Sequence, residues 1–420
     1  MGQDAAVIRK LQKTAPVKNI QRPLRLKIDV PLLLVTITLV VFGIIMVFSA
    51  SWDISFLISK TNSPTFMLTR QLGWLGVGLV VMFFLAWMDY RLWQRFALWG
   101  MLTAVVALLG VLILGDTESG TTRTFYGGSY QPSELAKLMI VVYLAVWLYS
   151  KRDYLSDVNF GLIPLAAILG IVGGLIFSQP DLSAAATIII LGGIMFFLAG
   201  GDLRQILILL VFTILFGLLV VKVNPTGSDR IASFLAGLKD PLNSSPHVQR
   251  SLSAFAKGGW FGVGIGRSTT KLTSLPVPHT DSVFAVIGEE LGLFGAFTVA
   301  ALYGALLWRG LVIARKAPDG LGSLLAAGLT TWITMEAFMN MLALIGLMPF
   351  AGNPLPLFSV GGSSLVFTLA GIGIVLNISR LSENEQLEAE RRTIGALIDL
   401  RWRDWRRRLS RPRGTRKPGR

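Results

Sequence analysis

Ten apolar segments, each close to the length of a membrane-crossing helix, dominate this sequence of 420 residues. A helix needs roughly 20 mostly apolar residues to cross the hydrocarbon core of a bilayer. Charged residues make up only 15% of the chain, whereas soluble proteins carry about 25%. The sequence therefore predicts an all-α polytopic integral membrane protein. The predicted helices cover residues 30–50, 71–88, 96–115, 132–150, 161–178, 184–200, 206–222, 282–307, 321–347 and 365–379.

The net charge of +15 is concentrated at the two ends of the chain. Residues 1–28 contain seven basic residues and one acidic residue, and residues 380–420 contain thirteen basic and six acidic residues. An even number of spans puts both ends on one side, and the short loops there carry eight Lys or Arg against three on the other. Lys and Arg favour the cytoplasmic side of a membrane, so we predict that both termini are cytoplasmic.

The charge distribution and the predicted spans divide the chain into three segments. Residues 1–29 are predicted to be a basic cytoplasmic segment, residues 30–379 the membrane domain, and residues 380–420 a basic cytoplasmic tail. The tail has an apolar stripe opposite many Arg residues, a pattern that binds anionic lipid. A solvated tail and nucleic-acid binding are the alternatives, and we expect no nucleic-acid partner. The stripe comprises Ile394, Leu397, Ile398, Trp402, Trp405 and Leu409.

Residues 223–281 form the one long loop, and the predicted topology puts it outside the cell. Loops of this length are uncommon and usually functional. Val248, Leu252 and Phe255 recur in it at helical spacing, which predicts a short amphipathic helix at the membrane surface. The loop also carries Arg250, Lys257 and Lys271. These cations would suit a membrane-bound anionic substrate such as a lipid diphosphate.

Polar clusters at the ends of the predicted spans are candidate functional sites, because ionisable groups in or beside lipid are costly. Glu134 and Lys137 open the fourth span and share a helix face, which fits either a structural ion pair or a direct role. Asp181 follows the fifth span and would contact substrate, cap the next helix or be solvated. Ser363 and Ser364 open the tenth span after two Gly residues. That turn is either an anion site of backbone N–H groups or a simple connection.

Asp281 ends the long loop and directly precedes the eighth span, close to His279. A carboxylate at this interface would be suited to accept a proton from a hydroxyl group, and a helix cap is the alternative. Glu289 lies eight residues further on, about 80° round a helix from Asp281. Glu290 lies nearly opposite, so we predict Glu289 as the partner of Asp281 in one site.

Several longer motifs resemble the SEDS family, the FtsW/RodA/SpoVE proteins of bacterial cell-wall synthesis. They occur in family order, and features such as AFAKGGWFGVGIG and KLTSLP are more similar to FtsW than to RodA. The motifs are QPSELAKL at 131–138, QPDL at 179–182, KDP at 239–241, QRSLSAFAKGGWFGVGIGRS at 249–268, KLTSLPVPHTDSVFAVIGEELG at 271–292 and NPLPLFSVGGSSL at 353–365.

The resemblance implies a ten-helix peptidoglycan glycosyltransferase in the bacterial cytoplasmic membrane. It would polymerise lipid II into glycan strands on the outer face, with inversion and release of undecaprenyl diphosphate, for cell division or cell shape. The resemblance makes Asp281 the expected catalytic base and maps the family's Glu, Lys and outer-loop Arg to Glu134, Lys137 and Arg123. The implied partners are lipid II, the nascent glycan strand and a class B penicillin-binding transpeptidase.

Two alternatives stay open at this point: a lipid II flippase, and a non-enzymatic scaffold for the transpeptidase. The chain contains no Cys and only two His, which excludes a thiol nucleophile, Cys-ligated zinc and a His-rich metal site. A departing diphosphate needs compensating cations, from Arg and Lys or from a bound Mg²⁺ or Mn²⁺. The sequence does not choose between these two sources.

Overall fold

The computed structural model describes residues 28–58, 63–114, 130–179, 181–223, 225–273, 275–350 and 352–383, and most of these residues are helical. Short turns of 3₁₀ and π helix, Tyr90–Leu92 and Val158–Leu162, lead into the third and fifth helices. The helices are α1 (Val30–Ile58), α2 (Phe66–Trp87), α3 (Trp93–Leu114), α4 (Pro132–Ser150), α5 (Ile163–Phe177), α6 (Leu182–Leu198), α7 (Leu203–Val223), α8 (Pro225–Lys239), α9 (Pro246–Gly258), α10 (Thr270–Thr273), α11 (Val283–Lys316), α12 (Gly320–Leu344) and α13 (Gly362–Glu383).

Within the described residues, eight helices are long and apolar enough to cross a membrane. The predicted sixth and seventh spans correspond to shorter apolar helices, Leu182–Leu198 and the Leu203–Leu215 part of α7. The structure therefore confirms a polytopic helical membrane protein, with eight full-length spans and two shorter helices where ten spans were predicted. The predicted span at 365–379 was too short, since α13 has 22 residues.

Helices α4, α12 and α13 form the centre of the bundle. Each long span has a most apolar stretch of 18 residues. The buried share of that stretch is 67% in α4, 78% in α12 and 72% in α13, against 28–39% in the other five long spans. The outer helices instead expose large apolar side chains, among them Phe84, Val106 and Leu114. In a soluble protein so large an exposed apolar surface would be unfavourable, so the bundle has the surface of a protein surrounded by lipid.

Helix α9 is the amphipathic helix predicted in the long loop, but it packs on protein as well as facing outward. Its buried face consists of Val248, Ser251, Ala254 and Gly258. Phe255 contacts Phe284 of α11 edge to face, with ring centroids 5.5 Å apart. The interpretation of a helix lying only on the membrane surface is therefore incomplete, because small residues on one face allow α9 to dock against α11.

We expect Gly258→Ala to destabilise the protein by about 1–3 kcal/mol, the usual cost of overpacking. A Cβ atom on Gly258 would lie 2.0 Å from the carbonyl oxygen of Gly288, and this backbone group cannot rotate away. Gly304→Ala in α11 is the matched control, since no atom beyond its own stretch of helix lies within 4 Å of its added Cβ. Thermal unfolding midpoints in detergent test the prediction, and equal midpoints for the two variants would contradict it.

Helix α11 is broken near its N-terminal end, where the sequence predicted one continuous span from residue 282. Gly292 has φ +68°, a conformation that L side chains rarely adopt. The loop after α9 occupies the break: Val263 N–H donates to Glu289 O at 3.0 Å, and Leu293 N–H donates to Gly259 O at 2.9 Å. The backbone N–H and C=O groups that lose their helical partners at the break are thus paired with the loop, as burial in an apolar environment requires.

Candidate functional site

Asp281 lies two residues before α11, and its side chain is half-buried. The N-cap residue of α11 is Ser282, so Asp281 does not occupy the cap position that was the alternative interpretation. The loop that leads into α13 passes beside its carboxyl group: a Cβ on Gly352 would lie 3.4 Å from Asp281 Oδ2. Asp281 therefore lies between the end of the long segment at residues 223–281 and the loop at residues 352–361.

Three consecutive backbone carbonyls hold the Asp281 loop against its surroundings. Val360 N–H donates to His279 O at 2.8 Å, and Ser359 Oγ donates to Thr280 O at 2.5 Å. Asn340 Nδ2, near the end of α12, donates to Asp281 O at 2.9 Å. The backbone at residues 279–281 is thus fixed from two separate elements.

A second polar cluster joins the starts of α4, α6 and α13. Gln131 Nε2 donates to Asp181 Oδ2 at 3.2 Å, and Gln131 N–H donates to Ser363 Oγ at 3.2 Å. The other oxygen of Asp181 accepts from Ala184 N–H, which caps α6. The capping interpretation of Asp181 is confirmed, and the same carboxylate also links α6 to α4. Ser364, the next residue after Ser363, is half-buried.

Glu134 and Lys137 form the predicted ion pair on one face of α4, with 2.8 Å between Lys137 Nζ and Glu134 Oε1. Lys137 Nζ also contacts a second carboxylate, Glu336 of α12. All three side chains are at most 4% exposed. Glu336 and Asn340 are four residues apart on α12, a rise of about 6 Å. The ion-pair triad therefore lies one turn from the residue that holds Asp281.

The prediction that Glu289 forms one site with Asp281 is wrong. Glu289 instead accepts hydrogen bonds from Ser268 Oγ and from the backbone N–H groups of Thr269 and Thr270. The reason is the chain path: Asp281 precedes α11, while the loop after α9 returns to the buried face of α11 where Glu289 projects. Spacing along an ideal helix could not anticipate this loop.

Lys271 is also placed differently from the prediction of an outward-facing substrate contact. Its ammonium is buried, lies 2.8 Å from Glu290 Oε1 and donates to Ser49 O at 2.9 Å. A cation already neutralised in the interior has little capacity for a diphosphate, so this placement argues for a role in anchoring the loop. Ser49 Oγ in α1 also donates to Glu290, which ties the loop to the first span.

The remaining predicted cations differ in exposure. Arg250 and Lys257 lie on the exposed side of α9, where Lys257 Nζ donates to Thr270 Oγ1 at 3.2 Å. Arg123 lies outside the described residues, as do residues 1–27 and 384–420, which include the predicted lipid-binding stripe. Among the predicted substrate-binding cations in the described part of the chain, Arg250 and Lys257 are those with exposed side chains.

His247 lies in α9 and His279 in the loop before α11, and burial lowers the pKa of each below its ordinary value. For His247, which stacks on Phe350 at 4.2 Å, the charges of Arg250 and Arg230 lower the pKa further. Because these pKa values are lower in the folded protein than in the unfolded chain, the unfolded chain binds more protons than the folded protein as the pH falls below about 6.5. The stabilising contribution of neutral histidine is therefore complete above about pH 6.5 and is lost as pH falls.

We accordingly expect the unfolding midpoint to fall between pH 7.5 and pH 5.5, and to fall less in a His247→Gln/His279→Gln double variant. The double variant removes the titrating groups but keeps the carboxylates, so it separates the histidine contribution from the rest. Thermal unfolding in detergent at a series of pH values measures the difference. A drop of the same size in both proteins would contradict the expectation.

Several residues of the site were missed by the sequence reasoning: Ser49, Glu336, Asn340 and Ser359. Glu336 carried a usable signal, since an ionisable residue inside an apolar span is a functional candidate. Ser359 lies within the NPLPLFSVGGSSL motif but was not itself chosen as a site residue. Asn340 carried no signal, because its importance comes from partners that are remote in the chain.

A bound divalent cation has no evident ligand set here. The part of the chain that the structure describes contains no group of three or more His, Cys, Asp or Glu residues that could hold a metal ion. The loop at residues 275–282 offers a single carboxylate, that of Asp281. Mg²⁺ or Mn²⁺ binding therefore stays a prediction.

Residues 30–384 match the family described as cell cycle protein, FtsW/RodA/SpoVE. Among curated relatives, a protein named probable peptidoglycan glycosyltransferase FtsW from Geobacter metallireducens is 36% identical over 358 residues, which are 84% of this chain and 94% of the relative. Stage V sporulation protein E of Bacillus subtilis is also 36% identical, over 365 residues, covering 84% of this chain and 97% of that protein.

Two solved structures have the same fold. A chain from a peptidoglycan synthase complex, described as coordinating polymerization and crosslinking, aligns with TM-score 0.68 and 29% identity over 85% of this chain and 99% of that one. The rod shape determining protein RodA of Thermus thermophilus aligns with TM-score 0.62 and 28% identity, over 85% and 98% of the two chains.

Proposed function

Since this chain belongs to the FtsW/RodA/SpoVE family and is a peptidoglycan glycosyltransferase, we propose that it polymerises lipid II with Asp281 as the catalytic base. The observation that carries the assignment is the placement of Asp281. It is a half-buried carboxylate at the end of a span, in a backbone segment held by hydrogen bonds from two elements. A base must be held close to the hydroxyl that it deprotonates, and this segment provides that fixed position.

In the proposed reaction, the Asp281 carboxylate takes the proton from the 4-hydroxyl of the acceptor's terminal GlcNAc. The hydroxyl oxygen forms a bond to C1 of the MurNAc at the reducing end of the growing strand. The bond from C1 to the lipid diphosphate breaks on the opposite side, which inverts the configuration at C1. Both electrons of that bond leave with undecaprenyl diphosphate, so the protein gains one proton and no covalent intermediate forms.

The departing diphosphate requires positive charge nearby. Lys137 and Lys271 are already neutralised by buried carboxylates. Among the predicted substrate-binding cations in the described residues, Arg250 and Lys257 have exposed side chains, so we propose them for the leaving group, with Arg123 a further candidate by resemblance. A bound Mg²⁺ or Mn²⁺ would supply the same charge.

The position of the polar residues favours polymerisation over transport. Glu134 lies in the first turn of α4, Asp181 caps α6, Asp281 precedes α11 and Ser363 opens α13. With alternating spans, these four helix starts lie at the same end of the bundle. A transporter would place its binding groups near the middle of the membrane.

We propose a bacterial cytoplasmic-membrane protein with both termini cytoplasmic and the polar end outside, because an even number of helices puts the termini on one side and the Lys and Arg excess in the short loops favours the cytoplasm for that side. A class B penicillin-binding transpeptidase is the proposed partner, because a similar chain occurs in a complex for polymerization and crosslinking. The nascent glycan strand would remain at the outer end, where the partner can crosslink it.

For the tail at residues 380–420, equal co-sedimentation with neutral and anionic liposomes would contradict lipid binding by charge.

The decisive experiment incubates the purified full-length protein, with its cognate transpeptidase, with labelled lipid II. We expect a ladder of glycan strands that Asp281→Ala does not produce. A parallel measurement in proteoliposomes follows movement of labelled lipid II between leaflets. Transport without strand formation would overturn the polymerase assignment in favour of a flippase. The absence of both activities would favour a scaffold.

A further inference from the structure

Asn340 connects three parts of the molecule that meet at Asp281. Its side-chain Nδ2 donates to Asp281 O at 2.9 Å and to Asn353 O at 2.5 Å. Asn340 is only 3% exposed and lies in the last turns of α12, the most buried of the long spans. One amide group thus holds the loop before α11 and the loop before α13 to a central helix.

Both bonded loops contact the Asp281 side chain or its backbone. The carbonyl that Asn340 holds belongs to Asp281 itself, and the second carbonyl follows Gly352, whose added Cβ would lie 3.4 Å from Asp281 Oδ2. Ser359 Oγ adds a bond to Thr280 O from the second loop. The separation between the carboxylate and its neighbouring loop is therefore set by Asn340, which lies outside both loops, together with the Ser359 bond between them.

We propose that Asn340 is a positioning residue for glycosyl transfer, which fixes the Asp281 carboxylate through the backbone without touching substrate. This inference rests on the proposed function of Asp281. The physical reason is that an amide NH₂ on a packed helix has two donor hydrogens in one plane, which suit two carbonyls. Displacement of a reacting group by about 1 Å costs on the order of 10²-fold in rate, so such a clamp affects catalysis more than substrate binding.

Asn377 of α13 provides a matched control. It is fully buried, its Nδ2 donates to Ala86 O at 3.0 Å, and its Oδ1 accepts from Tyr90 N–H at 3.0 Å. It therefore joins two backbone groups as Asn340 does, but near the opposite end of the bundle from Asp281. Loss of either asparagine removes two buried hydrogen bonds, but only the loss of Asn340 affects the Asp281 loop.

The test compares initial rates of lipid II polymerisation for wild type, Asn340→Asp, Asn340→Ala and Asn377→Ala, each with the transpeptidase present. Asn340→Asp keeps the shape of the side chain but replaces the donor by an oxygen that faces two carbonyl oxygens. We expect kcat to fall at least about tenfold in both Asn340 variants, with KM changed less than about threefold. Asn377→Ala should retain kcat within about threefold at a similar loss of thermal stability.

A kcat for Asn340→Asp within threefold of wild type would overturn the inference and leave the polymerase assignment intact. An equal fall in kcat for Asn377→Ala would overturn it too, because a general loss of stability would then explain both results. If Asn340→Ala does not fold, Ser359→Ala removes the neighbouring donor to Thr280 O and should lower kcat in the same way. Full activity of Asp281→Asn would overturn the proposed base and this inference with it.

Discussion

Replacing Asp281 by Asn is expected to lower the rate of lipid II polymerisation by about 10²–10⁴-fold, the range that a positioned general base contributes. Asparagine has nearly the shape of aspartate and preserves the backbone, so Asn340 and Ser359 can still bind residues 280 and 281. It cannot accept the proton of the acceptor hydroxyl at neutral pH. The variant therefore removes the base while leaving the loop in place.

Steady-state polymerisation rates with labelled lipid II measure this effect. Asp153→Asn serves as the control, since Asp153 is a highly exposed residue of the turn after α4, and it should keep the wild-type rate. Thermal unfolding of Asp281→Asn should remain close to that of wild type. A rate within about threefold of wild type would show that Asp281 is not the base.

Replacing Lys137 by Met is expected to cost about 3–5 kcal/mol of stability, the penalty for leaving one side of a buried ion pair uncompensated. Lys137 contacts both Glu134 and Glu336, and the three side chains are at most 4% exposed. Without the ammonium, two carboxylates face each other in an apolar interior. The neutral triple variant Lys137→Met/Glu134→Gln/Glu336→Gln should recover most of the loss, because it removes the charges together.

Thermal unfolding midpoints in detergent compare these variants. Arg152→Met is the control, because the side chains of Arg152 and Asp153 are 66% and 83% exposed, and such pairs contribute at most about 1 kcal/mol. An unchanged midpoint for Lys137→Met would mean that the triad is not a stabilising ion pair. Direct binding of the Lys137 ammonium to substrate, the other role that the sequence left open, would then need its own test by polymerisation kinetics of the variant.

Features that depend on residues close together in the sequence were predicted correctly, whereas a pairing that depends on the path of the chain was not. The Glu134–Lys137 pair, the capping role of Asp181 and helix α9 all depend on neighbours within about four residues, and the structure has all three. The expected pairing of Asp281 with Glu289 depended on an ideal helix continuing through residue 281. It failed because Asp281 precedes the helix and the loop at 268–270 binds Glu289.

The chain's sequence by itself determined that this is a helical membrane protein, because about 20 consecutive apolar residues leave the backbone no other way to satisfy its hydrogen bonds in lipid. It also identified Asp281 as a candidate base through its motifs. Only the tertiary structure decided which groups neutralise and hold one another. Glu336 lies 199 residues from Lys137, and Asn340 lies 59 residues from Asp281. Such contacts depend on how the helices are rotated and packed, which no pattern within a single segment specifies.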